Sequence, residues 1–221
     1  MTRLVQKSAK RGSQRWLQLG VAACPHLLQP GDWPRLEWRS PREADGFAEY
    51  MDASFLEVLG LAHLAPALAA FWPRSGPRWD GLAVFDGGVV LVEAKAHVPE
   101  ALSTPCAAGP ASGQRIATSL NRVKAALGAD DRSDWSRVLY QHANRLAHLW
   151  FLREHGVDAR LLHINFVGDS HPQAPQHPES WTAVRAVSDH ALGLSPNHAL
   201  SRWIGHVTPD VVLIAGAGKG G

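Results

Sequence analysis

Asp80, Glu93 and Lys95 lie within the stretch WDGLAVFDGGVVLVEAKAHVPE, residues 79–100. Glu93 falls in an otherwise apolar run and Lys95 follows directly after it. Charges in such a strand are costly unless they are paired or bound to something. Paired carboxylates supply the hard oxygen donors that Mg²⁺ prefers, while the ion keeps several waters. A lysine beside them can orient or deprotonate one of those waters and offset charge on a pentavalent phosphate. The chemistry indicated is metal-assisted attack of water on a phosphate ester.

For this to work the three groups must share a face. DGLAVF and VVLVEAK read as two strands joined by a tight turn at Asp86-Gly87 or Gly87-Gly88. Glu93 and Lys95 are two apart and therefore point the same way. A Gly87-Gly88 turn sets Asp80 opposite Lys95, and an Asp86-Gly87 turn sets it opposite Glu93. The two registers differ by two residues, so the trio converges in either. Leu82, Val84 and Leu91 share that face, which argues against a solvated surface.

The spacing Asp-x12-Glu-x-Lys across a hairpin resembles the PD-(D/E)XK nuclease superfamily, over residues 41 to about 167. The resemblance implies a restriction-endonuclease-like α/β fold, a mixed central sheet flanked by helices. It implies that Asp80 and Glu93 bind Mg²⁺ or Mn²⁺, that the carbonyl of Ala94 assists, and that Lys95 serves the attacking water. It also implies a further acid from a helix before the hairpin: Glu49, or less favoured Asp52 or Asp45. The family's proline before the aspartate is replaced by Trp79. A mostly exonucleolytic subset carries Gln-x3-Tyr on a later helix. Here Gln141 is followed by Arg145 instead, so Gln141 is a candidate without assigning the chain to that subset.

Stepping outward, Ser40, Pro41 and Glu43 read as cap, first position and capping box of a helix over residues 40–59. Two further helices are expected at 113–128 and 134–156, each closed by glycine. Buried strands are expected at ARLLHINFVG and DVVLIAG, with a helix at ESWTAVRAVSDHALGL between them. In the 134–156 helix, Val138, Leu139, Ala143, Leu146, Leu149 and Trp150 make a broad apolar face. Gln141, Asn144, Arg145 and His148 make a narrow polar stripe, which faces either solvent or the cleft. Arg115, Arg122 and Arg145 are candidates for contacting nucleic-acid phosphates, with plain surface solvation the competing reading.

The chain has 221 residues and a net charge of +2, too small by itself to indicate nucleic-acid binding. Residues 1–31 carry five basic residues and no acid, and read as a solvated basic arm, residues 1–35, before a single domain over 36–221. No run is long and apolar enough for a membrane helix, and the N-terminus has no secretory pattern. Cys24 and Cys106 read as reduced thiols, which with the missing leader points to the cytoplasm. The C-terminal AGAGKGG lacks the Ser/Thr and following helix of a phosphate loop. VGDSHP, with Ser170, lies too late in the chain for the serine hydrolases whose block it matches. The twelve histidines show no zinc spacing, and Trp72 and Trp79 read as core rather than base-stacking residues. The expectation is a Mg²⁺- or Mn²⁺-dependent nuclease acting on nucleic acid, DNA foremost, as a soluble chain with a homodimer as one possible assembly. The alternative is a non-catalytic nucleic-acid-binding or assembly domain with the same fold.

Overall fold

A computed structural model describes residues 3–131 and 133–218. In chain order the elements are β1 (Arg3–Leu4), α1 (Gly12–Ala23), β2 (Glu37–Ser40), β3 (Glu49–Tyr50), α2 (Ala53–Val58), α3 (Ala65–Phe71), β4 (Gly81–Phe85), β5 (Gly88–Lys95), α4 (Pro110–Leu127), α5 (Tyr140–Glu154), β6 (Asp158–Asn165), α6 (Pro178–Ala191), β7 (Ile204–Val207) and α7 (Val211–Ala217). Five strands form one sheet in the order β2-β4-β5-β6-β7, antiparallel on the β2 side of β5 and parallel on the β6 side. β1 and β3 pair separately.

The centre strand β5 is apolar from Val89 to Val92 because both of its faces are covered. On one face Leu82, Leu91 and Leu161 pack with Phe55, Leu120 and Leu146 from α2, α4 and α5. On the other, Ala83, Val90, Val92 and Leu162 pack with Leu17 of α1 and Ile214 of α7. The α/β class and the mixed, helix-flanked sheet agree with expectation.

Four local expectations fail. The helix expected over 134–156 begins only at Tyr140, with Leu139 in the left-handed region at φ +47° and Val138 exposed before it. Residues 40–59 are not one helix. Ser40 ends β2, a single 3₁₀ turn covers Glu43–Asp45, and Gly46 closes it in the left-handed region at φ +68°. Only Ala53–Val58 is α-helical. The cap signals at Ser40 and Glu43 were outweighed by Gly46, which favours a stop.

The segment expected as a solvated arm contains α1. Leu17, Cys24 and Leu28 are 1%, 1% and 0% exposed and seal the second face of the sheet. DVVLIAG is helical rather than extended. Asp210 caps α7 by accepting from the Val212 N–H at 2.7 Å, and Val211 and Ile214 face inward while Val212 and Leu213 face out. Periodicity alone cannot separate so short an apolar run into strand or helix. Lys219 lies outside the described residues.

Candidate active site

The hairpin turn falls at Asp86-Gly87, with Gly87 at φ +79°, a conformation that costs glycine little. Phe85 then pairs with Gly88 and Gly81 with Val92. Of the two possible registers, this one carries Asp80 across from Glu93. β4 begins only at Gly81, since Trp79 turns away to pair with Tyr50. The Ala94 N–H is thereby left without a strand partner, and the Asp80 carboxylate accepts it at 2.8 Å. In a strand the N–H and C=O of one residue open on the same edge. The Ala94 carbonyl therefore lies on the edge that Asp80 closes.

Glu93 is 2% exposed, and both its oxygens are held. Oε1 accepts from Lys95 Nζ at 2.6 Å and Oε2 from Arg145 Nε at 2.5 Å. Burial would raise its pKa, but the adjacent guanidinium and ammonium outweigh burial and hold it at about 2. Asp80 is treated oppositely. Burial first, then repulsion from Glu93, lifts it to about 7, with Lys95, the Ala94 N–H and Arg145 pulling partly back. Lys95 Nζ also lies 3.4 Å from Gln141 Oε1.

These groups open onto a cleft of about 410 Å³ walled by Asp80, Glu93, Ala94, Lys95, Gln141 and Glu100. The start of α1, Arg11 to Gln14, forms the opposite wall. Glu100 fixes the end of β5 by accepting the Ala96 N–H at 2.5 Å, and it also accepts from Ser13 Oγ at 3.1 Å. The contribution of α1 and Glu100 was missed from sequence. The visible signal was the apolar spacing Leu17, Val21, Cys24, Leu28, which the basic residues of the same segment obscured.

Glu49 approaches by another route than expected. It sits on β3, not on a helix, and the Tyr50–Trp79 bridge brings its backbone alongside Asp80. Its side chain, 8% exposed, accepts from Gln14 Nε2 of α1 at 2.6 Å and is not part of the cleft wall. The less favoured acids are structural. Asp45 accepts from the Tyr50 hydroxyl at 2.7 Å, and Asp52 from the backbone of Ser75 and Gly76.

The polar stripe of α5 does not face solvent. Every side chain from Ala143 to Leu152 is buried, because α5 is enclosed on all sides. Of the two directions open to the stripe, Gln141 takes the cleft. Arg145 does not meet a phosphate-facing surface: it is 3% exposed, donates to Glu93, to the Arg78 carbonyl at 2.7 Å and to Asn144, and stacks over Trp79. Rather than contacting nucleic acid, Arg145 is the counter-charge of Glu93. Its helix position was legible, but which way the stripe turned was not. Arg115 and Arg122 are exposed on α4, engaged with the Ala69 carbonyl and the Trp150 ring, and neither borders the cleft. Trp72 and Trp79 are core residues, 3% and 0% exposed.

Among the described residues no group of three or more His, Cys, Asp and Glu is arranged to hold a metal ion. What the cleft offers is smaller: the carboxylates of Asp80 and Glu93 and the Ala94 carbonyl, all hard oxygen donors, with both Glu93 oxygens already accepting from Lys95 and Arg145. That set suits an ion that keeps several waters, as Mg²⁺ does. Comparison with family models, curated proteins and solved structures finds no match to this chain.

Proposed function

We propose that the protein is a metal-dependent nuclease of restriction-endonuclease-like fold, hydrolysing phosphodiester bonds in nucleic acid, DNA foremost. The observation that carries the reading is the convergence of Asp80, Glu93 and Lys95 at one end of a hairpin, on the floor of an open cleft. Mg²⁺ or Mn²⁺ held by Asp80, Glu93 and the Ala94 carbonyl would polarise a phosphate oxygen and acidify a bound water. Lys95, whose Nζ stands between Glu93 and Gln141, orients the attacking water and faces charge developing on phosphorus. Gln141 steers that ammonium. Arg145 keeps Glu93 ionised inside the protein. Arg11, on the opposite wall, is placed to meet the substrate backbone.

Lys95 and Arg145 already offset Glu93, and Asp80, lifted to about 7, is only partly ionised near neutrality. A divalent ion should therefore bind weakly alone and more tightly once a substrate phosphate adds negative charge. Both cysteines are free and no described helix is long and apolar enough to cross a membrane, observations that accord with the proposed cytoplasmic setting.

A second reading, a nucleic-acid-binding or assembly domain without catalysis, draws on one observation: both Glu93 oxygens are already engaged by cations. The test offers purified protein single- and double-stranded DNA, RNA and branched DNA, with Mg²⁺, Mn²⁺ or EDTA. Cutting that EDTA stops, and that Lys95→Ala loses, supports the nuclease. Binding of one substrate with none cut under either metal favours the second reading.

A further inference from the structure

A pocket of about 340 Å³ shares no residue with the catalytic cleft. It lies between α2, α3 and the loop after α3. Ala65, Leu68 and Ala69 share one face of α3 at helical spacing, and the two alanines leave that face shallow. Trp72 and Pro73 complete the apolar walls. Exposure sets the depth order. His148 of α5, 1% exposed, is the floor, and the exposed Arg74 and Arg115 stand at the mouth.

Two features indicate that this pocket is built for a ligand. The first is the floor. His148 Nδ1 lies 2.8 Å from the Asn144 carbonyl, which only accepts, so Nδ1 carries the ring proton. Burial first, and the nearby Arg145 charge with it, hold the ring neutral at a pKa of about 3. Nε2 is then a bare acceptor, and among the described residues no donor reaches it. Phe55, Phe71, Trp72 and Trp79 pack edge-on around the ring and fix it in place. A side chain on Gly76 would begin 3.7 Å from Nε2, so the missing Cβ keeps that nitrogen open. The second feature is the mouth. Two arginines against Asp52 leave a net +1 (two minus one), and Asp52 is already turned to the Ser75 and Gly76 N–H groups. Arg115 donates to the Ala69 carbonyl through Nη1 alone, which leaves the rest of its guanidinium fork.

These features ask for an occupant with a flat apolar body, an N–H donor at its buried edge and negative charge at its outer end. At ~30 Å³ per water, 340 Å³ corresponds to about eleven waters, room for one heterocycle but not for a whole nucleotide. The charged part must then stay outside, where the arginines are. An aliphatic carboxylate lacks the donor, and a neutral ring lacks the charge. We infer that the pocket binds a nucleoside monophosphate, its base seated beside Trp72 and donating to His148 Nε2, its phosphate on Arg74 and Arg115. Guanidiniums suit that phosphate because their planar fork matches its oxygens. The assignment does not depend on the nuclease reading.

The test is titration calorimetry in EDTA with the 5′-monophosphates of adenosine, guanosine, cytidine and uridine. At least one should bind with a Kd below about 1 mM. The matching nucleoside should bind about tenfold more weakly, the size expected of one charged hydrogen bond. Arg74→Ala, at an exposed position, and His148→Phe, which keeps a ring but removes the acceptor, should each weaken the nucleotide about tenfold. If His148→Phe does not fold by circular dichroism, Arg74→Ala decides alone. Lys95→Ala, in the catalytic cleft, should leave this affinity unchanged. No binding of any of the four nucleotides overturns the proposal, as does binding that Arg74→Ala leaves intact. Loss of binding in Lys95→Ala would place the nucleotide in the cleft and overturn it too. Indole-3-acetate, which also carries a ring N–H and an anion, separates the sources. If it binds as tightly as the best nucleotide, the pocket is one for aromatic acids and the nucleotide assignment fails. Cutting of nucleic acid under Mg²⁺ or Mn²⁺, read separately, leaves either result unchanged.

Discussion

Asp80 and Glu93 are placed opposite each other, but the walls that hold them differ. Glu93 is backed by α5 and fixed by two cations, Arg145 from that helix and Lys95 from its own strand. Asp80 stands just before β4 begins at Gly81, with one backbone N–H from Ala94. The first carboxyl is locked as an anion at about 2, and the second is lifted to about 7. A pair built this way has one permanent charge and one that exchanges a proton near neutrality. That asymmetry suits a site in which a cation enters by displacing a single proton.

Removing either cation from Glu93 tests the rigid wall. Lys95→Ala should lower cutting by roughly 10²–10⁴-fold, the usual scale for a positioned proton-transfer group, read as single-turnover rates on the preferred substrate. Arg145→Ala should act mainly on stability. It leaves Glu93 buried with one partner on the cleft side, and breaking a buried pair costs about 3–5 kcal/mol. Urea denaturation checks this, and a loss no larger than that of Lys95→Ala would contradict the assigned role of Arg145.

The sequence made the cleft side of this comparison legible and hid much of the backing. The hairpin was readable because alternation and an Asp-Gly or Gly-Gly turn constrain it, and either register brought Asp80, Glu93 and Lys95 together. Gln141 was readable as a polar position on a helix. Arg145 was visible too, but a helical stripe carries no information about whether it turns to solvent or to a buried acid. Glu49, expected from a helix, lies on β3 because left-handed Gly46 ends that helix after one turn, and its side chain turns to Gln14 rather than into the cleft.

The exchangeable wall gives a smaller effect with a definite sign. Asp80 is raised in the folded state, so between its ordinary 3.8 and about 7 the folded protein holds a proton that the unfolded chain has released. Its contribution to stability therefore declines as pH rises through that window. Metal affinity moves the other way, up to about tenfold per pH unit below pH 7, with one proton released per ion. Titration calorimetry in buffers of different ionisation enthalpy measures that proton. Asp80→Asn should flatten the stability slope, while a release near two protons would mean that Glu93 titrates as well.

The smallest expected effect concerns the α1 wall. Gln14→Ala removes the bond to Glu49 at the edge of the cleft and should cost about 1 kcal/mol, as single hydrogen bonds do. Glu49→Gln should cost no more, since Glu49 does not wall the cleft. If Glu49→Gln instead abolished cutting without loss of stability, Glu49 would belong to the reacting centre and the comparison would need a third acid.

In the proposed nuclease, Asp80 and Glu93 together hold a divalent cation on which cutting depends. Electron paramagnetic resonance of Mn²⁺, titrated into wild type, Lys95→Ala and Asp80→Asn with a short DNA duplex present, addresses it directly. One tightly bound Mn²⁺ is expected in the wild type and in Lys95→Ala, and none in Asp80→Asn. Equal Mn²⁺ binding by all three proteins, or by none of them, would contradict it.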